Sequence, residues 1–138
     1  MKKEVTLTIA GFITGEDGTT DKNVTEEKAS YYLKNGSHYV VLEDEMSAKS
    51  ARYKITHRGL EVIKNGDISA KMVFETGKTF TSMYRTPYGK MPLTFVTKQY
   101  ALFEEASEIR AEIAYSVRNG DSRISDNRIE LKICEAAT

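Results

Sequence analysis

The chain predicts an all-β fold: an antiparallel meander closed into a barrel of about eight to ten strands. Two observations carry this. Apolar and polar residues alternate with a period of two along most of the chain. Tight-turn signals containing glycine interrupt that alternation again and again, with Asn35-Gly36 and Asn65-Gly66 the clearest, because both positions tolerate positive φ. Many short strands in sequence order leave two exposed edges, and closure into a barrel removes them.

Taken in order, Val5, Leu7 and Ile9 alternate with Thr6, Thr8 and Ala10. Gly15 to Asn23 is polar and reads as a loop, followed by a strand from Val24 to Lys34. His38 to Met46 is the next strand, with a turn over Ser47 to Ser50. Ala51, Tyr53 and Ile55 share one face, Arg58-Gly59 turns the chain, and Leu60 to Lys64 is short. Ile68, Ala70, Met72 and Phe74 share a face, Thr76-Gly77 turns, and Phe80, Ser82 and Tyr84 continue. Thr86-Pro87-Tyr88-Gly89 places proline where a type I turn fixes φ and glycine where the following bulge needs it positive. Met91, Leu93 and Phe95 alternate next, with Pro92 near a strand start, where a missing N–H is tolerated. Ile109 to Val117 alternates, Asn119-Gly120 opens a polar loop, and Ile129, Leu131 and Ile133 close the pattern. Between Gln99 and Tyr115 the spacing of Leu102, Ala106, Ile109 and Ile113 also fits a helix, and both readings stand there.

The 138 residues suit one domain, 1–138, able to bury roughly two-thirds of its unfolded surface. Lys plus Arg and Asp plus Glu both number 20, so no global field attracts nucleic acid or an anionic membrane, and neither is an expected partner. Cys134 is the single cysteine and can form no internal disulfide, which suits a reducing compartment. The opening Met1-Lys2-Lys3-Glu4-Val5 lacks a signal peptide's continuous apolar stretch, and no run approaches the ~18 apolar residues of a membrane helix. The expected location is a bacterial-type cytoplasm. The sequons at Asn23-Val24-Thr25 and Asn35-Gly36-Ser37 are read as turn chemistry.

The middle of the chain resembles a known family. Tyr39-Val40-Val41-Leu42-Glu43-Asp44-Glu45 precedes a basic alternating strand and Arg58-Gly59. Then come Lys71-Met72-Val73-Phe74-Glu75-Thr76-Gly77, Tyr84-Arg85-Thr86-Pro87-Tyr88-Gly89, Thr97 and Tyr115. Their order and spacing resemble the YwiB-like family of small bacterial proteins with a calycin-type, lipocalin-like β-barrel. The resemblance spans nearly the whole chain. It implies a barrel, and therefore two strands rather than a helix around Ser107, although Ala106-Ser107-Glu108 stands where a glycine turn is expected. It implies no reaction, ligand or catalytic residue.

Catalytic and cofactor motifs are not found. Gly77-Lys78-Thr79 matches the end of a phosphate-binding loop, but Met72 occupies the place of the leading glycine and a strand follows. A metal site would have to draw His38, His57 and Cys134 together with Glu43, Asp44 or Glu45, and their spacing supplies no ligand set. Glu43 and Glu45 share a strand face, where two solvated glutamates are the ordinary case. No Gly-Xaa-Ser-Xaa-Gly elbow occurs. Tyr31, Tyr32, Tyr53, Tyr84 and Arg85 could form a stacking surface for single strands, but the balanced charge argues against it. An enzyme would require a cluster such as Glu43, His57 and Arg58 in one pocket.

The remaining signal is a set of polar atoms on apolar faces. Tyr53, His57, Met72, Ser82, Tyr84, Phe95 and Tyr115 would line an aromatic, partly polar interior suited to a small apolar or amphipathic molecule held at the barrel mouth. His57 and Ser82 would supply the orienting hydrogen bonds. The competing reading fills the barrel with its own side chains and assigns function to the outer surface or to a homodimer.

Overall fold

The computed structural model describes residues 3–44, 49–120 and 122–135. Among them the chain forms ten strands and no helix: β1 (Lys3–Gly15), β2 (Thr20–Lys34), β3 (Ser37–Asp44), β4 (Lys49–Ile55), β5 (Gly59–Asn65), β6 (Ala70–Glu75), β7 (Thr79–Thr86), β8 (Gly89–Glu104), β9 (Glu108–Asn119) and β10 (Ser122–Glu135). Their order in the sheet is β6-β5-β4-β3-β2-β1-β10-β9-β8-β7, antiparallel throughout. Consecutive strands pair as neighbours except β6 with β7. Among the described residues, the one ladder between distant parts of the chain is β1 with β10, from Val5–Glu135 to Gly15–Ser125.

The barrel is nearly closed. Its seam lies between β6 and β7, which are consecutive in sequence yet share no ladder among the described residues. One end of the seam is pinned by the Ser69–Arg85 bridge, with backbone N–H···O bonds of 2.9 and 3.0 Å. At the other end the connecting turn leans onto β8. Gly77 N–H donates to the Thr97 carbonyl at 2.9 Å, and Thr97 N–H donates to the Lys78 carbonyl at 3.0 Å. Beside these bonds the β8–β9 register shifts between Thr97 and Gln99, a bulge that bends β8 toward the turn.

The core follows from the two-residue period. Val5, Leu7, Val40, Ile55, Ile113 and Leu131 are almost fully buried, and their strand neighbours point outward. The ambiguous stretch from Gln99 to Tyr115 is strand, turn, strand. Ala111, Ile113 and Tyr115 are buried in strict alternation, whereas Ala106, which a helix would have buried, sits exposed in the turn. That turn needs no glycine: Glu105 N–H donates to the Glu108 carbonyl at 2.8 Å. Gly59, by contrast, is obligatory. A Cβ there would run into the Phe74 carbonyl oxygen, because β5 and β6 approach too closely for any side chain.

Three boundaries differ from the sequence expectation. β4 begins at Lys49, so Lys49 and Ser50 of the expected turn are already strand, paired with Asp44 and Glu43 of β3. β2 begins at Thr20, so Asn23 lies within an exposed strand and not in a turn, whereas Asn35-Gly36 is a turn with both φ values positive. Pairing with β1 extends β2 through a stretch whose side chains are polar because they face solvent. The polar loop expected after Gly120 is likewise short, because β10 begins at Ser122. Glu45, Met46 and Ser47 lie outside the described residues.

Candidate functional site

Six of the seven expected lining residues sit on inward-facing positions, and four of them meet directly. The Tyr84 and Phe95 rings lie 6.1 Å apart, and those of Phe95 and Tyr115 lie 5.9 Å apart. Tyr84 Oη donates to Met72 Sδ at 3.0 Å across the seam. Phe74, which the sequence reading left off the site, is the hub: its ring is 4.7 Å from Tyr115 and 5.6 Å from Phe95. Tyr53 belongs to the same inner face through the cross-strand row Tyr53–Val62–Met72. Burial pushes the Tyr53 and Tyr84 phenols up to about 12, because the charged form would lose its water.

Ser82 lies on β7 beneath the seam, 3 % exposed, and its hydroxyl has no hydrogen-bond partner among the described residues. Thr97 Oγ1 on β8 is in the same condition at 1 % exposure. Buried hydroxyls are normally satisfied, so such orphans mark places where a water or a ligand atom belongs. The thioether that accepts from Tyr84 is itself a weak acceptor.

His57 does not join this group. It lies in the exposed turn after β4, with Nε2 3.5 Å from Glu104 Oε1. There it borders a second cluster that the sequence did not reveal. Tyr31 Oη and His38 Nδ1 are 2.7 Å apart, and His38 Nε2 lies 3.0 Å from Glu104 Oε1. His38 is on β3 and Glu104 on β8, which stand on opposite sides of the ring of strands, so this contact crosses the barrel mouth. The two side chains thus meet from strands five apart in the sheet order. The hydrogen bond from His38 holds the Glu104 carboxyl below its ordinary range. Nearby, Tyr100 Oη donates to the Thr56 carbonyl at 2.7 Å, and burial raises its phenol far above the usual value. The available signal for this cluster was inward parity: His38 alternates with Val40, and Glu104 with Leu102. The 66 residues separating His38 and Glu104 concealed the pairing.

Depressions mark the surface at several places. One of about 70 Å³ lies beside Tyr31, Ser107 and Cys134 at the mouth. Two others, of about 220 and 260 Å³, lie against the outer face of β4 and β5. Arg58 lines the first of these outer depressions and Glu43 the second, so Glu43, His57 and Arg58 are not brought into one pocket. Among the described residues no three His, Cys, Asp or Glu side chains gather to hold a metal ion. Gly77-Lys78-Thr79 forms a strand-to-strand turn. The tyrosines weighed for stacking are dispersed: Tyr53 and Tyr84 point inward, while Tyr32 stacks on Tyr39 outside at 4.8 Å. No helix among the described residues is long and apolar enough to cross a membrane.

The family model "Domain of unknown function (DUF1934)" matches residues 7–131. The chain belongs to this family. The fold agrees with a solved member of the YwiB-like group, the ywiB protein from Bacillus subtilis, with a TM-score of 0.85 at 19 % identity. That match covers 99 % of this chain and 94 % of the other. None of the curated proteins matches the chain. The DUF1934 description names no activity.

Proposed function

We propose that the protein binds a small amphipathic molecule, without catalysing a reaction on it, by admitting it at the β6–β7 seam. The observation that supports this is the unpartnered Ser82 hydroxyl, buried under the one stretch of wall that no ladder seals. The polar end of the ligand would meet Ser82 and the Tyr84 hydroxyl, which now has only a thioether to donate to. Its apolar part would displace Met72 and lie against Phe74, Phe95 and Tyr115. Methionine is suited to this, since its flexible, polarizable chain repacks at low cost. The test is native mass spectrometry on protein purified gently from its host, before and after denaturation. A small molecule lost only on denaturation, and absent from a folded Tyr84→Ala variant, supports the reading. A bare protein mass, or a bound molecule retained in full by that variant, removes it.

The competing reading is a filled barrel acting through its surface or as a homodimer. It is favoured by the ring contacts of Phe74, Phe95 and Tyr115, which already occupy the centre of the β6–β9 half. A bare dimer in the same experiment would support it.

A further inference from the structure

The formal charge of zero is an average over the faces, and the strand registers separate it. On the outer face of one barrel end, Arg85 of β7 stands directly opposite Lys90 of β8, and Arg118 of β9 directly opposite Arg123 of β10. Like charges directly opposite on antiparallel strands are destabilising. Two such pairs within four consecutive strands break a local rule in the way functional surfaces do. Among the described residues, Arg85, Lys90 and Arg118 have no carboxylate in ion-pair contact, while Arg123 reaches Asp126 at 3.2 Å. Lysines elsewhere commonly do have such partners, as in Lys3–Glu135 and Lys71–Glu61.

The same end is apolar at its foremost point. Tyr88, beside Pro87 at the tip of the β7–β8 hairpin, is 99 % exposed. Met83 on the outer side of this hairpin and Met91, directly opposite Tyr84 on its inner side, are both exposed, as is Ile68, the residue before Ser69 of the Ser69–Arg85 bridge. The acidic turn with Glu16 and Asp17 shares this barrel end but follows β1, four strands away from β7 in the sheet. Asp67, nearer by, is paired with Lys49 at 3.4 Å.

We propose that this end docks obliquely on an anionic lipid bilayer. The β7–β8 tip enters the headgroup layer with Tyr88 leading, at the depth that suits an amphipathic ring. Arg85, Lys90 and Arg118 reach headgroup phosphates with their stems laid along the apolar boundary. A nucleic-acid strand fits less well, because the tip is convex and presents tyrosine and methionine ahead of the cations. The placement goes beyond the balanced composition, which had set membranes aside.

The test is co-sedimentation of the full chain at low salt with phosphatidylcholine vesicles, with and without about one-third phosphatidylglycerol. Binding is expected only to the anionic vesicles. Each basic residue near such a surface is worth about a fivefold change in partitioning, so Arg85→Glu with Lys90→Glu weakens it by about 30-fold or more. Tyr88→Ser weakens it several-fold at unchanged charge. Lys34→Glu, at the opposite end, leaves it unchanged. Circular dichroism confirms that each variant is folded. No binding to anionic vesicles, full binding by the double variant or by Tyr88→Ser, an equal loss in Lys34→Glu, or tighter binding to a single-stranded oligonucleotide at the same salt would each overturn the proposal.

Discussion

Replacing Ser82 with alanine is expected to stabilise the protein. Its hydroxyl is buried without a partner among the described residues, and a stranded polar group of this kind costs about 1–3 kcal/mol. Deletion leaves a void of roughly 10 Å³, which costs about 0.2 kcal/mol at ~24 cal/mol per Å³. The balance favours the variant by about 1 kcal/mol, taking the lower end of the range. For a chain of this size that raises Tm by about 3 °C. Urea denaturation should show a higher midpoint with an unchanged slope. If the hydroxyl also serves the bound molecule, the more stable variant loses the ligand that the parent carries, a trade of function for stability. A Ser82→Ala protein that is less stable than the parent would refute the reasoning, because it would mean that an internal water already satisfies the hydroxyl.

The barrel mouth gives a second expectation. His38→Ala removes one neutral and one charge-assisted hydrogen bond and should cost about 2–3 kcal/mol, whereas Glu104→Ala, at a half-exposed site, should cost about 1 kcal/mol. A double-mutant cycle between them should show coupling of about 1 kcal/mol, and strict additivity would mean that the cross-mouth contact does not form in solution. Acid behaviour follows from Glu104, held below its ordinary 4.5 first by the His38 hydrogen bond, and Asp126, held below 3.8 first by the Ser116 hydrogen bond. A carboxylate depressed in the folded state contributes stability above its unfolded value and loses it as pH falls through the folded one. Denaturation curves should therefore weaken below about pH 4.5, and less so in Glu104→Gln; an identical decline in that variant would contradict the assignment. Phenolate absorbance should show Tyr53 and Tyr84 still protonated near pH 11 in the native protein and ionised after unfolding, since burial pushes both to about 12. Gly59→Ala should cost about 3 kcal/mol by driving a methyl into the Phe74 carbonyl, and a melting temperature equal to that of the parent would show that β5 and β6 can separate there.

Much of this architecture was legible in the chain because alternation reports burial directly. Ile113 and Tyr115, or Met72 and Phe74, declare a shared face without reference to any partner strand, and the closed sheet then turns that face inward. The Asn35-Gly36 turn was equally plain, since few residue pairs accept two positive φ values. Strand ends were less visible. β2 reaches back to Thr20 because β1 is there to pair with it, and its own polar residues carry no sign of that. The site was read unevenly for the same reason. Met72, Ser82, Tyr84, Phe95 and Tyr115 each announce an inward polar or polarizable atom. Which ring touches which depends on barrel curvature, and so Phe74, a plain apolar residue, was passed over as the hub. His57 shares the parity of Ile55, but the chain leaves the sheet just before it. His38 and Glu104 meet across the ring from strands five apart in the sheet, a pairing that no local pattern encodes.

The arrangement of ladder and seam also sets how the chain must fold. The unsealed joint lies between β6 and β7, which a three-residue turn keeps close in every state of the chain. The long ladder from Val5–Glu135 to Gly15–Ser125 joins strands that start almost the whole chain length apart. Hairpins form within about 1–10 μs, whereas closing so large a loop must be compensated by contacts that appear only once it is closed. The rate-limiting event is therefore the zipping of β1 onto β10. Core truncations along that ladder, such as Leu7→Ala or Leu131→Ala, should slow refolding, while truncations at the seam should chiefly speed unfolding. The protein is thus most permanent where its chain is most distant, and most easily opened where its chain is continuous.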